Sequence, residues 1–121
     1  MTTGISFWQT LKEFAATSPL TIDRPKGTAH PHYAEMIYPL DYGYLENTSA
    51  GDGDGIDVWI GSMDDKTLTG ILCTFDKLKR DAEIKLWIGC TLEDVHIIRN
   101  FNNEIQTLFI PNPMVEDALS N

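Results

Sequence analysis

Apolar residues near the start of the chain recur at the spacing of one face of a helix. The pattern predicts an amphipathic helix over Ser6–Thr17, which stops before Pro19. A second helix is predicted from Thr91, which caps it, to about Asn103. Four large side chains of the first helix are expected to cover one end of the core: Phe7, Trp8, Leu11 and Phe14. Three residues of the second are expected to face inward: Val95, Ile98 and Phe101.

Between the helices, short runs of alternating apolar and polar residues predict β-strands joined by polar turns. The predicted strands are Leu20–Asp23, Glu35–Leu45, Ile56–Ile60, Thr67–Phe75 and Ala82–Ile88, with a last short strand at Thr107–Ile110. Pro39 makes Glu35–Leu45 an edge strand, a bulged strand or two short strands with a break between them. Strands at this spacing favour a small barrel, so the fold class is mainly β with flanking helices (α+β). No repeat or linker interrupts the chain. We therefore expect a single domain over 1–121, with a helix in 1–18, the barrel in 19–90, and a helix, strand and tail in 91–121.

Composition narrows the possible partners. The 121 residues are 42% hydrophobic and 22% charged, as is usual for a globular protein. The formal net charge of −9 argues against nucleic-acid binding and fits a protein that binds cations, although acidic surfaces are common. No apolar stretch approaches the ~18 residues of a membrane span, so no membrane contact is expected. The two cysteines lie in apolar runs that are typical of a reducing compartment, and we expect a cytoplasmic protein.

A loop rich in aspartate and glycine carries the clearest chemical signal. Asp52, Asp54 and Asp57 lie within six residues, and Asp76 and Asp81 flank a later turn. Carboxylates held close together repel one another unless a cation lies between them, and oxygen ligands select hard cations such as Mg²⁺. A helix–loop–helix calcium site does not fit, because no helix precedes the loop and its ligand pattern fails. A surface turn without a metal remains open, since turns favour Asp and Gly.

An upstream segment is the most cationic part of this acidic chain. It contains four basic or imidazole side chains: Arg24, Lys26, His30 and His32. The segment is either a loop that faces an anion or a solvated connection, and composition alone favours the second. Tyr42 and Tyr44 lie on one side of an extended segment, where a tyrosine either donates a hydrogen bond into a site or packs in the core.

Two adjacent motifs resemble those of a known protein family. The segment Tyr38-Pro-Leu-Asp-Tyr-Gly-Tyr44, followed at a short interval by Asp52-Gly-Asp-Gly-Ile-Asp57-Val, resembles the metal-dependent, barrel-type family of soluble inorganic pyrophosphatases. The resemblance covers about residues 20 to 90. It implies a five-stranded OB-type barrel with the N-terminal and C-terminal helices packed outside. It also implies Mg²⁺-dependent hydrolysis of pyrophosphate by in-line attack of an activated water, and a homo-oligomer.

The resemblance also implies roles for individual residues. Asp52, Asp57 and Asp81 match ligands of the first metal ion, and Asp57 would bridge to a second. Asp76 matches a ligand for ions that arrive with the substrate, so two or more Mg²⁺ ions are implied, with Mn²⁺ as a possible substitute. The remaining matches are Asp23 in the metal shell, Asp54 as activator of the attacking water, and Tyr42 as a hydrogen-bond partner of a phosphate.

The chain departs from the family on the phosphate side of the site. His32 stands in place of a lysine, Glu83 replaces another lysine, and a hairpin that carries an arginine is missing between Tyr33 and Tyr38. Five residues are candidates for a substitute phosphate clamp: Arg24, Lys26, His32, Tyr38 and Lys85. A second hypothesis follows from this loss. The chain would bind metal and a phosphorylated ligand or partner with little turnover, or hydrolyse a different small phosphoanhydride.

Overall fold

The computed structural model describes residues 3–51, 53–101 and 104–115. The described residues contain two helices and six strands, joined by turns and loops. In chain order they are α1 (Thr3–Thr17), β1 (Leu20–Arg24), β2 (Asp41–Leu45), β3 (Ile56–Ile60), β4 (Leu68–Asp76), β5 (Asp81–Ile88), α2 (Leu92–Arg99) and β6 (Ile105–Pro111). The fold is therefore mainly β with two helices, as the sequence predicts. Neither helix in the described residues is long and apolar enough to cross a membrane.

The six strands form one sheet in the order β1-β2-β3-β5-β4-β6. Only β3 and β5 run parallel among the pairs of neighbouring strands, and every other pair is antiparallel. The expected barrel of five strands is wrong in its count, and β1 and β6 remain as the two edges of an open order. The last strand was predicted as the shorter segment Thr107–Ile110, and it pairs with β4 from Asp76↔Ile105 to Gly70↔Pro111. Which strand is its partner cannot be inferred from a local pattern in the sequence.

Helix α1 covers the core less than its pattern indicated. Trp8 is buried and Leu11 is half-buried, but Phe7 and Phe14 are about half exposed. The prediction that Phe7 and Phe14 cover the core is therefore wrong.

Helix α2 begins as predicted but ends earlier. Thr91 accepts a hydrogen bond from the Asp94 amide, and the Asp94 carboxylate accepts one from the Thr91 amide, so the two form a capping box. Asn100 closes the helix, well before the expected end near Asn103. Val95 and Ile98 are buried and Phe101 is partly buried, which confirms the predicted inward face.

Two hydrophobic clusters flank the sheet and together make the core. One lies beside α1 and contains Trp8, Leu45, Val58, Leu68, Ile71, Leu86 and Ile88. The other lies beside α2 and contains Tyr38, Leu40, Trp59, Leu72, Trp87, Cys90, Val95 and Ile98. Residues of this second cluster form the floor of the site described below.

Gly43 lets β1 and β2 approach each other closely. A Cβ atom at this position would lie 1.9 Å from the carbonyl oxygen of Thr21 on β1. Only glycine therefore fits this pairing, in which Gly43 faces Ile22. The glycine lies between two tyrosines, and the backbone that it allows sets where Tyr42 points.

Candidate active site

A cleft of about 300 Å³ opens over the β strands near the end of α2. Side chains that point to one face of a strand are two residues apart. On β4 these are Leu72, Thr74 and Asp76, and the partners of these three in the ladder with β5 are Lys85, Glu83 and Asp81. The alternation of β4 and β5 thus places three carboxylates and one ammonium group along a single wall.

Lys85 is the centre of what we call the polar wall, the lining side chains of Tyr42, Asp57, Asp76, Asp81, Glu83 and Lys85. Its Nζ donates hydrogen bonds to the Tyr42 hydroxyl at 2.7 Å, to Asp57 Oδ2 at 3.0 Å and to Glu83 Oε2 at 3.4 Å. The Lys85 side chain is only 13% exposed, against 27% for Asp57 and 26% for Glu83. The three partners come from β2, β3 and β5, so Lys85 joins three strands at the base of the cleft.

Burial and neighbouring charges determine the protonation states of Lys85 and Tyr42. Burial by itself lowers the pKa of Lys85, but the neighbouring Tyr42 and Asp57 outweigh it and the pKa is raised overall. Burial also raises the pKa of the Tyr42 hydroxyl, against the opposing effect of Lys85. At neutral pH Lys85 is therefore a cation and Tyr42 a neutral hydroxyl. That hydroxyl accepts a hydrogen bond from Lys85 and is also hydrogen-bonded to the carboxylate of Asp57, which raises its pKa further.

The turn between β4 and β5 carries the outer end of the wall. The Asp76 carboxylate accepts hydrogen bonds from the amides of Leu78 and Lys79 at 2.9 and 3.1 Å. Arg80 closes the turn with a φ of 60°. Asp76 and Asp81 face each other across the hairpin, and Lys79 lies at the rim of the cleft. The local sequence thus folds so that two carboxylates and one cation share the cleft mouth.

Aromatic rings form another part of the lining of the cleft. The Tyr38 ring lies 4.8 Å from that of Phe101 and 5.7 Å from that of Tyr42, and it is parallel to the His30 ring within 3° at 6.2 Å. Burial raises the pKa of the Tyr38 hydroxyl, while the charge of Arg24 and a hydrogen bond with it act in the opposite direction. Burial lowers the pKa of His30, and the cations of its surroundings lower it further.

Six of the twelve residues predicted for the site line this cleft: Tyr38, Tyr42, Asp57, Asp76, Asp81 and Lys85. Five others are described but are not among its lining residues: Asp23, Arg24, Lys26, His32 and Asp54. Asp54 is exposed in the loop before β3, and Asp23 is paired with Arg24 at 3.7 Å. The predicted metal ligand Asp52 and the tail after residue 115 lie outside the described residues.

Five polar residues of the cleft were not predicted as site residues: His30, Thr74, Lys79, Glu83 and Thr107. Glu83 was noted only as a departure from the family, although its spacing of two from both Asp81 and Lys85 would have placed it on the same face. His30 and Lys79 reach the cleft through turns, and turn residues show no periodicity from which their direction could be inferred.

The carboxylates of the cleft suit a hard cation in their chemistry. Asp57, Asp76, Asp81 and Glu83 offer oxygen donors, which Mg²⁺ prefers. Within the described ranges, no group of three or more His, Cys, Asp or Glu side chains is arranged to hold a metal ion. Mg²⁺ needs only one or two carboxylates when waters and phosphate oxygens complete its shell, so the donor set fits this ion.

Comparison with known proteins identifies the family of the chain. The model of the family described as inorganic pyrophosphatase matches residues 16–78, which are 63 of the 121 residues. Inorganic pyrophosphatases of Geobacillus stearothermophilus and Bacillus sp. (strain PS3) are 37% identical to the chain over 70 residues, covering 51% of it and 41% of each relative. The inorganic pyrophosphatase of Halalkalibacterium halodurans is 35% identical over 60 residues, or 43% of the chain and 37% of the relative. The aligned region thus spans about two fifths of these relatives. The chain belongs to the inorganic pyrophosphatase family.

Proposed function

We propose that the chain hydrolyses inorganic pyrophosphate to two orthophosphates in the cleft described above, in a Mg²⁺-dependent reaction. The observation that carries the proposal is the polar wall, on which Asp57, Asp76 and Asp81 meet Lys85 and Tyr42 in one cleft. The names of the relatives support the choice of substrate. A cleft with several carboxylates beside a buried cation is also suited to a divalent ion and a polyanion together.

The carboxylates of the wall would hold the metal ions. Asp57, Asp76 and Asp81 are the candidate ligands, with Asp52 and Asp23 as further ligands predicted by the resemblance. When bound, Mg²⁺, or Mn²⁺ in its place, lowers the pKa of a coordinated water and offsets the negative charge of the phosphates. Two or more ions would be needed to use all of these carboxylates, since Mg²⁺ takes one or two each.

Lys85 and Tyr42 would orient the phosphates. The bond from Lys85 to Glu83 is its longest, at 3.4 Å, so a phosphate oxygen could replace Glu83 with the least loss. The Tyr42 hydroxyl accepts from Lys85 and is hydrogen-bonded to Asp57, and in the complex it would donate its proton to the ligand in place of Asp57. The shorter bond to Asp57 keeps that carboxylate on the wall.

Lys79 is our candidate for the missing part of the phosphate clamp. It lies at the rim of the cleft, and its amide is fixed by the carboxylate of Asp76. Arg24 is near enough to interact with the Tyr38 hydroxyl, so it is a second candidate cation on that side. Lys26 and His32 receive less support, because neither is a lining residue.

From the resemblance alone, Asp54 is the proposed acceptor of the proton from the attacking water, since it is exposed and is not among the residues that line the cleft. The test is phosphate release from pyrophosphate with Mg²⁺ and with Mn²⁺, by the wild type and by Asp54→Asn. Asp64→Asn, an exposed aspartate in the turn after β3, is the matched control. We expect activity in the wild type and the control and a loss of 10²-fold or more in Asp54→Asn, since general-base catalysis contributes about 10²–10⁴-fold. Equal activity of all three proteins would remove Asp54 from the reaction.

A second candidate function is binding of metal and a phosphorylated ligand with little turnover. The pairing of Asp57 and Glu83 with Lys85 favours it, because two of the wall's carboxylates already have a cation. No phosphate release with either ion, together with retained binding of pyrophosphate, would favour this alternative. A homo-oligomer and a cytoplasmic location are further proposals from the resemblance, and light scattering tests the first.

A further inference from the structure

The cleft is also lined by apolar and aromatic side chains, and an inorganic ligand would have little use for them apart from the Tyr38 hydroxyl. We call six of these side chains the ring wall: His30, Met36, Tyr38, Ile98, Phe101 and Ile105. Pyrophosphate is a small polyanion whose oxygens seek cations and hydrogen-bond donors. It would contact the carboxylates through metal ions and would leave the ring wall without a partner.

The ring wall is ordered so that it can accept a planar group. Tyr38 is buried at its centre and fixes the neighbouring rings, because it contacts both Phe101 and His30. His30, Met36 and Phe101 are only partly buried, so each offers some of its surface to the cleft. The rings of Tyr33 and His32 also approach His30, at 5.1 and 5.9 Å. A further planar ring would therefore contact the partly exposed surfaces of Met36 and Phe101 and the remaining surface of His30. Aromatic side chains bind nucleobases in this way.

The dimensions agree with an organic ligand. The cleft holds about 300 Å³, which is at the lower end of the range of about 300–1,000 Å³ found for pockets of organic ligands. Its lining contains both charged groups and aromatic rings. A ligand that carries a phosphoanhydride at one end and a flat, uncharged ring at the other matches both kinds of group at once.

We propose that the cleft also binds a nucleoside diphosphate, with its base against the ring wall and its diphosphate on the polar wall, and hydrolyses the phosphoanhydride bond. This inference rests on the proposed function, since the same polar wall must carry out the hydrolysis. A water oxygen forms a bond to the terminal phosphorus while the bond from that phosphorus to the bridging oxygen breaks. The nucleoside monophosphate leaves with the electron pair on that oxygen, and the water's proton passes to a carboxylate and on to solvent. The products are orthophosphate and a nucleoside monophosphate.

The experiment measures kcat/KM for ADP and for pyrophosphate with Mg²⁺. The variants are Phe101→Leu, which removes a ring of the wall while keeping an apolar side chain, and Phe7→Leu, the same change at an exposed ring on α1. We expect the ratio of kcat/KM for ADP to that for pyrophosphate to fall about tenfold in Phe101→Leu and to stay constant in Phe7→Leu. Thermal melts of both variants check folding, and His30→Ala repeats the measurement at a second ring.

The outcomes separate the two proposals. Hydrolysis of ADP with a selective fall of this ratio at residues 101 and 30 supports the inference. Hydrolysis of pyrophosphate but not of ADP, or an unchanged ratio in both ring-wall variants, overturns the inference and leaves the proposed function intact. Failure to hydrolyse either compound overturns both.

Discussion

Lys85 is expected to be a main support of the fold as well as of the site. Its ammonium group is 13% exposed and joins Tyr42, Asp57 and Glu83. In Lys85→Met the apolar part of the side chain remains, but two carboxylates lose their shared cation. Breaking a buried ion pair costs about 3–5 kcal/mol. Since Asp57 and Glu83 are each about a quarter exposed, water would recover part of this loss, and we expect a cost of about 2 kcal/mol.

Urea unfolding and thermal melts at neutral pH measure this cost. A loss of about 2 kcal/mol corresponds to a fall in Tm of roughly 8 °C for a chain of this length. Lys12→Met, at an exposed position of α1, is the matched control and should change the free energy of unfolding by less than about 0.5 kcal/mol. The double variant Lys85→Met/Asp57→Asn should cost less than the sum of the single changes, because each removes the same pair. Additive costs, or a Lys85→Met variant as stable as the control, would refute the account of the polar wall.

Three further predictions test the fold around the cleft. Gly43→Ala should cost more than about 3 kcal/mol or prevent folding, because its Cβ would overlap the Thr21 carbonyl. The control Gly4→Ala has open space around it and should be tolerated, and circular dichroism and thermal melts distinguish the two variants. Asp94→Ala should cost about 3 kcal/mol in urea unfolding, because the buried carboxylate accepts hydrogen bonds from Ser62 and Thr91, and a variant of near wild-type stability would contradict this. Because the pKa of His30 is lowered, the folded protein resists its protonation, so stability should fall as the pH drops below about 6.5. His30→Gln should lose less stability than the wild type between pH 7.5 and 5.5. Identical pH profiles of the two proteins would contradict the claim that burial and nearby cations lower the pKa of His30.

The sequence predicted the elements well where the pattern is local. An apolar run interrupted by one aspartate located β3 at Ile56–Ile60, and alternation in the segment before Ile88 located β5. The Thr91 cap located the start of α2. Features that depend on distant partners were missed. The pairing of β6 with β4 added a strand to the sheet. The exposure of Phe7 and Phe14 follows from how α1 lies on the sheet, which helical spacing does not determine.

The same distinction holds for the site. Asp57, Asp76, Asp81 and Lys85 were found because a motif or a strand period fixes their direction. The position of Lys85 between Asp57 and Tyr42 depends on the parallel pairing of β3 with β5, and no segment of the sequence shows which strands are neighbours. His30 and Lys79 lie in turns, where side-chain direction depends on single backbone angles.

Phosphate release from pyrophosphate by the wild type, Asp57→Asn and Asp64→Asn, each with Mg²⁺, tests the central claim most directly. Asp57 is the carboxylate of the polar wall that both the motif and the cleft select, and Asp64 is an exposed aspartate in a turn outside the cleft. The account predicts Mg²⁺-dependent release by the wild type and Asp64→Asn, and a loss of at least 10²-fold in Asp57→Asn with the fold retained. Equal rates in all three proteins, or no release by the wild type, would contradict it.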